Sequence, residues 1–453
     1  MKSELTNAEP ARQSDGGRRS PLAFDEALAG LLRNAAPPAR TEAVATLDAM
    51  NRVLARTVVS PLAVPEWDNS QMDGYAVRSS DFSAPGQEGS PQAVLPVSQR
   101  IAAGQQGTSL APGTVARIFT GAAMPAGADA VVMQEQVASA GEDADGRPLV
   151  RLDHLPIAGE WIRRRGEDIE RGATILLPGT RLSPQATGLA ASVGAATLDV
   201  FSRLRVACFF TGDELVMPGQ PLKPGSIYNS NRFLLTGLLR RLGCEVLDLG
   251  IIGDSLEHTR QALRQAGARA DLIVTSGGMS VGEEDHVKPA VEAEGELHMW
   301  QIAIKPGKPL AYGRVHRSGG GTTAGAITDG ASGGDRARTF AHFIGLPGNP
   351  VSSFVTFVMF VRPFILALQG ASRVEPTRLK LTAGFDWPQP DRRREFLRVR
   401  VDPQTGQLVL FRNQGSAVLT STVEADGLLD NPGGKAIHRG DVVTYLPFSD
   451  LLN

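Results

Sequence analysis

Residues 276–287 read SGGMSVGEEDHV and follow the apolar run ADLIVT. Gly277 and Gly278, then Ser280 and Gly282, make the kind of turn after a strand whose bare amides can approach a phosphate. Glu283, Glu284 and Asp285 come directly after it. Two carboxylates about 4 Å apart repel by about 4 kcal/mol at an effective dielectric of about 20. A cleft holding these acids together with Glu214 therefore raises their pKa values or recruits a cation. Hard oxygen ligands beside an incoming phosphate are how Mg2+ is usually held. Glycines that approach a phosphate and acids that grip a bridging divalent ion would explain the pattern. An exposed acidic loop is the alternative.

Two further loops carry groups of the same kind. TGDEL sets Gly212, Asp213 and Glu214 behind Thr211, after the apolar run ACFF. GLPGNPVSS, residues 345–353, has Pro347 in the loop, Asn349 at an N-cap position, Pro350 at a first helical position and Ser352 one turn in. Its free amides suit an anion, or it is a plain capped helix start. IKPGKP places Lys305 and Lys308 on a stiff Pro-Gly turn, aimed jointly at an anion or separately at water. Asp254 opens DSLE, a capping-box pattern that gives it a structural role whatever else it does. Further upstream, PEWDNSQMDGYAVR gathers Asp68, Asn69, Ser70 and Asp73 about a turn, and RIFTGAAMPAGADAVV has a Thr-Gly turn at Thr120.

The elements needed to position these loops can be read from hydrophobic period. From about residue 203 the chain alternates: LRVACFF, the helix SNRFLLTGLLRRLG, CEVLDLGII, the helix SLEHTRQALRQAG, then ADLIVTS. Strict alternation predicts a parallel sheet with right-handed crossovers, and such sheets bind ligands at the carboxyl ends of their strands. Residues 22–48 open with a helical pattern, and 163–202 return to strand-turn-helix, so the two are expected to pack together. Between them, short alternating runs punctuated by Gly and Pro predict a β-rich insertion.

The fold class expected is α/β plus β. Residues 1–20 read as a disordered tail, 21–66 with 163–202 as a discontinuous linker and helical domain, and 67–162 as the inserted β-rich module. Residues 203–372 read as the α/β domain, with a flexible Gly-, Ala- and Thr-rich loop at 316–339, and 373–453 as a small barrel-like β domain.

Bulk properties exclude several functions. The net charge of −2 and an aromatic content of 6% argue against nucleic acid and anionic membrane as partners. Cys208 and Cys244 both sit in apolar, strand-like runs and read as buried thiols of a reducing compartment. A soft metal handled here would need sulfur from elsewhere. The N-terminal stretch has no apolar signal-peptide core. A long helix is expected from about 351 to 369, and its run VSSFVTFVMFVRPFILAL, interrupted by Arg362 and Pro363, reads as too short for a membrane span. A soluble cytoplasmic protein is expected.

The motifs DNSQMDGYAVR, RIFTGAAMPAGADAVVMQE, IRRRGEDI, TGDEL, GSIYNSN, SGGMSVGEEDHVK, IKPGKP and LPGNPVS together resemble the molybdopterin molybdenumtransferase family, to which the C-terminal domain of gephyrin belongs. They run in family order from about residue 22 onward. The resemblance implies an elongated, four-part subunit forming a homodimer, with a cleft between the α/β domain of one copy and the β module of the other. It implies adenylylated molybdopterin and molybdate as substrates, Mg2+ as cofactor, AMP as a product, and a possible contact with the pterin adenylyltransferase. By the same resemblance, Asp73 and Thr120 come from the second copy, while Glu214, Asp254 and Asp285 are the acidic functional residues, Glu214 and Asp285 being the candidates for the metal. Gly277, Gly278, Ser280, Gly282, Asp213, Pro347, Asn349 and Pro350 shape the substrate loops. Lys305, Lys308 and Ser352 bind molybdate and phosphates, joined by Arg393 and Ser416 at the oxyanion. The rival enzyme, the adenylyltransferase itself, shares the α/β core but lacks the DNSQMDGYAVR module and the β tail. The rival non-enzyme is a gephyrin-like scaffold, which typically carries an extra N-terminal domain.

Overall fold

The computed structural model describes residues 21–37, 40–82, 94–278, 286–307, 309–317 and 339–452. The expected sites Ser280, Gly282, Asp285 and Lys308, and nearly all of the 316–339 loop, lie outside these described residues. The chain forms two compact units. One takes in residues through Glu42, Asn51–Val53 and Phe201 onward; the other takes in Ala43–Met50 and Leu54–Val200.

The first unit is built on a six-stranded sheet. Its central strands, Arg205–Thr211 and Leu272–Ser276, are apolar on both faces and buried along nearly their whole length, as strands covered by helices on both sides must be. Glu245–Ile252, Arg205–Thr211, Leu272–Ser276 and Phe340–Leu346 run parallel, with register pairs such as Val206 to Leu272 and Leu272 to His342. The helices Ser230–Arg241 and Leu256–Arg269 make the expected crossovers, capped by Asn229 and Ser255.

The sheet is mixed, however, and the expectation of an all-parallel sheet is corrected. Pro309–His316 pairs antiparallel with Phe340–Leu346, and Gly295–Gln301 pairs antiparallel with Pro309–His316. Antiparallel neighbours need no helical crossover, and none is encoded between Gly295 and His316.

The long helix expected at about 351–369 is present as Pro350–Leu368, and what is corrected is its reading as too short for a membrane span. The helical run continues through Arg362 and Pro363, because the turn before them widens to a π-helix at Phe357–Val361 and Pro363 then sits in the first turn of the next helical stretch. It is therefore long and apolar enough to cross a membrane. It is also almost entirely buried within the protein, with Phe354, Phe360 and Phe364 in the main core. Arg362 is tolerated there because its guanidinium donates to the carbonyls of Val374, 3.1 Å, and Asp450, 3.0 Å.

The N-terminal helix Phe24–Leu32 belongs to the same core. Phe24 meets Phe360 edge-on with centroids 4.9 Å apart. Helix Pro184–Ser192 buries Ala186 and Ala190 in a different apolar cluster with Leu54 and Leu182; Val44 packs against that cluster and Thr46 N donates to the Ala196 carbonyl, 2.9 Å, so the expected packing of 22–48 with 163–202 is met by residues 43–48. A second six-stranded sheet completes the first unit. It runs Ile304–Lys305, Arg394–Val401, Gly427–Asn431, Val442–Pro447, Leu379–Thr382, with Leu408–Leu410 on Arg394–Val401. The sheet curls into a half-barrel whose ends approach where Ala383, directly after Leu379–Thr382, meets Leu408 in a bridge and Gly384 N donates to the Leu408 carbonyl, 2.8 Å, in keeping with the barrel-like domain expected.

The second unit carries its own six-stranded, mostly antiparallel sheet. Gly74–Val77 lies between Ala130–Met133 and Val115–Ile118, which brings the DNSQMDGYAVR and RIFTG turns to one region.

Candidate functional site

Three strands of the parallel sheet release their loops at one end, and a cavity of about 550 Å³ opens there. That is an ordinary size for a small-molecule site. Glu214, Gly277, Asn349 and Pro350, all singled out from sequence, line it. The loops are tied by a short polar chain. Asn231 Nδ2 donates to Ser276 Oγ, 2.8 Å, and to the Gly348 carbonyl, 2.7 Å. Ser276 Oγ donates in turn to the Pro347 carbonyl, 2.9 Å, which also accepts from Ser353 Oγ. Pro347 thus fixes the third loop against the second.

Among the described residues, three polar atoms of residues lining the cavity are buried and without a hydrogen-bond partner: Thr211 Oγ1, Asn229 Nδ2 and Asn231 Oδ1. A buried polar group without a partner costs roughly 1–3 kcal/mol, so three around one opening mark a place where a ligand completes the bonding. Asn229 shows how one side chain serves two ends. Its Oδ1 caps the helix by accepting from Arg232 N, 3.0 Å, and its Nδ2 is left for the cavity.

The glycines are there for close approach. Gly277 has φ +100°, and a methyl at its Cα would lie 2.6 Å from the Thr211 carbonyl oxygen. One at Gly278, φ +62°, would lie 2.7 Å from Val287 Cγ2 and 2.9 Å from Thr211 Oγ1. Gly277→Ala is therefore expected to destabilise the protein by about 1–3 kcal/mol, through strained backbone and a collision with main chain that cannot yield. Chemical denaturation of the variant checks this.

Other candidates sit elsewhere. Asp213 is exposed beside Glu214. Asp254 lies in the turn before helix Leu256–Arg269, where Ser255, not Asp254, caps by accepting from His258 N at 3.3 Å; the capping role read from sequence moves one residue on. Asn349 occupies the N-cap position with no side-chain cap bond and instead donates to Ser416 Oγ, 3.2 Å. Ser352 is buried in that helix's first turn.

Lys305 and Arg393 do not line the cavity. They form a cluster with Asp391 and Glu395: Lys305 Nζ lies 3.6 Å from Asp391 Oδ2 and 3.4 Å from Glu395 Oε1. Arg393 grips Asp391 through two contacts of 3.0 and 2.8 Å, and the guanidinium holds the Asp391 carboxyl well below the usual carboxylate range. In the other unit, Asp73 Oδ1 accepts from both Thr120 N, 2.8 Å, and Thr120 Oγ1, 2.7 Å, which lowers the Asp73 pKa.

The comparisons with known proteins agree along the length of the chain. Residues 22–194 match the model of the MoeA N-terminal region (domain I and II), 207–367 that of a probable molybdopterin binding domain, and 380–448 that of the MoeA C-terminal region (domain IV). A molybdopterin molybdenumtransferase of Haemophilus influenzae is 37% identical over 439 residues, covering 95% of this chain and 100% of the relative. The chain belongs to the molybdopterin molybdenumtransferase family. Molybdopterin molybdenumtransferase 2 of Mycobacterium tuberculosis is also 37% identical, over 85% of this chain and 89% of its own. The crystal structure of a molybdopterin biosynthesis MoeA protein from Pyrococcus horikoshii OT3 superposes with a TM-score of 0.74 at 25% identity, covering 94% of this chain and 100% of that one.

For a member of this family, the chemistry of the cavity's donors matters. They are hard: the Glu214 carboxylate, the Thr211 hydroxyl and the Asn231 amide oxygen. Such a set fits Mg2+, which takes one or two carboxylates and keeps several waters, and does not suit a soft metal. Among the described residues no cluster of three His, Cys, Asp or Glu side chains forms a closed metal site. No thiolate is on offer either, since Cys208 and Cys244 are buried and burial, with Asp248 nearby, pushes the Cys208 thiol up to about 11. Asn229 and Asn231 were missed as ligand-facing residues. The motif GSIYNSN contains both, but an Asn at a helix start reads first as a cap.

Proposed function

We propose that this chain inserts molybdate into adenylylated molybdopterin and releases AMP, in a Mg2+-dependent reaction that yields the molybdenum cofactor. The observation that carries this is the cavity at the sheet's carboxyl end, with three buried polar atoms awaiting partners and the Glu214 carboxylate on its wall, in a chain of this family. The amides of Gly277 and Gly278 approach the pyrophosphate, and Asn229 Nδ2, Asn231 Oδ1 and Thr211 Oγ1 orient the bound substrate. Glu214 and Asp285 are the residues that would hold Mg2+, which when bound offsets charge on the pyrophosphate. Lys305, Lys308, Arg393, Ser352 and Ser416 hold the molybdate dianion beside the substrate's dithiolene. The dithiolene supplies the sulfur that this protein's buried thiols do not.

The protein works as a soluble cytoplasmic homodimer, in which a second copy brings Asp73 and Thr120 to the cleft. A pterin adenylyltransferase is the partner that supplies the substrate. Asp254 acts from the end of its strand.

The test mixes purified protein, Mg2+, molybdate and adenylylated molybdopterin, and measures AMP and the molybdenum content of the cofactor. AMP release that needs molybdate is the expected result, and AMP release indifferent to molybdate rejects the reading.

A further inference from the structure

The two described cations assigned to the oxyanion are already occupied. Lys305 and Arg393 face Asp391 and Glu395, two positive groups against two negative ones, so among the described residues the cluster is formally neutral. A dianion entering a neutral cluster is repelled by each carboxylate about as strongly as it is drawn by each cation. One carboxylate has to leave before an oxyanion gains anything from these two cations.

The two acids are not equivalent. Glu395 is fully buried in strand Arg394–Val401, and its Oε2 accepts from Trp387 Nε1, 2.9 Å, and Asn431 Nδ2, 3.3 Å. Moving it would strand two donors and bare a buried charge. Asp391 precedes that strand, partly exposed. Among the described residues, its carboxylate contacts are Arg393 Nε and NH2, Lys305 Nζ and the Arg393 amide, the last at 3.0 Å. Every one of these is a cation or an N–H donor, the set that an oxyanion itself would use.

We infer that the Asp391 carboxylate stands in the place of the substrate oxyanion and is displaced by it, so that Asp391 sets both the affinity and the charge selectivity of that subsite. A dianion has twice the attraction of a carboxylate for Lys305 and Arg393 and can evict it. A monoanion has no such advantage and is kept out. The inference rests on the proposed function only in assigning the oxyanion to these two cations.

The experiment measures molybdate binding to the full-length protein by calorimetry, with perchlorate, a tetrahedral monoanion, as competitor. The proteins are wild type, Asp391→Asn, Asp391→Ala and Lys305→Met. Both Asp391 variants are expected to bind molybdate about tenfold more tightly, an effect that shrinks as salt screens it, and to become sensitive to perchlorate where wild type is not. Unchanged or weaker molybdate binding in both Asp391 variants overturns the inference. If Lys305→Met alone weakens binding while the Asp391 variants match wild type, the oxyanion assignment stands and the displacement does not. If none of the three substitutions moves molybdate binding, the assignment of the oxyanion to this cluster falls, and the inference with it.

Discussion

Glu214→Gln is expected to slow molybdate-dependent AMP release by about 100-fold or more, the scale of losing one preorganised charged group at a reacting centre, while leaving the unfolding midpoint where it is. The geometry separates the two outcomes. The Glu214 side chain is exposed at the cavity wall and makes no ion pair among the described residues. What the residue gives the fold is its backbone: the carbonyl accepts from Ile227 N at 2.8 Å, tying TGDEL to the following strand pair. Gln keeps that bond and the shape of the side chain, and removes only the charge. Gly212 points the same way. A methyl there would come 2.8 Å from the Glu214 carboxyl carbon, so the glycine lets the carboxylate fold back over the turn, and φ +141° is a conformation other residues rarely adopt. If the carboxylate holds Mg2+, the variant should also need more Mg2+ for half-maximal rate. A variant that releases AMP normally removes Glu214 from the mechanism. One that loses activity together with its unfolding midpoint makes the residue structural. Asp285→Asn is expected to behave in the same way.

What the sequence made legible, and what it hid, follows from how each feature is encoded. Turn chemistry is local, so Gly277, Gly278, Pro350 and the glycine of TGDEL announced the loops of the cavity, and buried strands such as ADLIVTS announced the sheet that aims them. Pairing direction is not local. Nothing in Gly295–Gln301 marks it as an antiparallel edge rather than the next parallel strand; only the missing helix before Pro309 hints at it. The π-turn at Phe357–Val361 was hidden for a related reason, because Pro363 usually ends a helix and only the widened turn accommodates it. Charges are legible only in part. Arg393 and Lys305 read as cations placed to meet an anion, yet Asp391, two residues before Arg393, pairs with it, and Glu395, two residues after, pairs with Lys305. A residue's charge can be read from its letter, but whether that charge is already spoken for depends on long-range packing.

The same contrast between a charge's letter and its surroundings gives the largest stability effect expected. Asp430 lies on strand Gly427–Asn431 with only 3% of its side chain exposed, and accepts from Arg378 NH1 at 2.6 Å and from Arg394 Nε and NH2 at 2.6 and 2.7 Å. Arg394 also lies over the Phe24 ring, 4.4 Å from its centroid, and that ring anchors the N-terminal helix against Phe360. Asp430→Ala would leave the mostly buried guanidinium of Arg394 with the exposed Asp25 as its remaining acid, 3.1 Å away. Removing one partner of a buried pair typically costs about 3–5 kcal/mol, because the other charge stays buried and uncompensated. The Arg56–Asp199 pair supplies the control: at 3.4 Å, with side chains 74% and 41% exposed, it is open to water. Arg56→Ala should therefore change stability by no more than about 1 kcal/mol. Denaturant titrations of the two variants beside wild type measure the difference. Equal shifts would mean that solvent reaches Asp430 freely, and that the join it makes between the N-terminal helix and the half-barrel sheet contributes little to holding the first unit together.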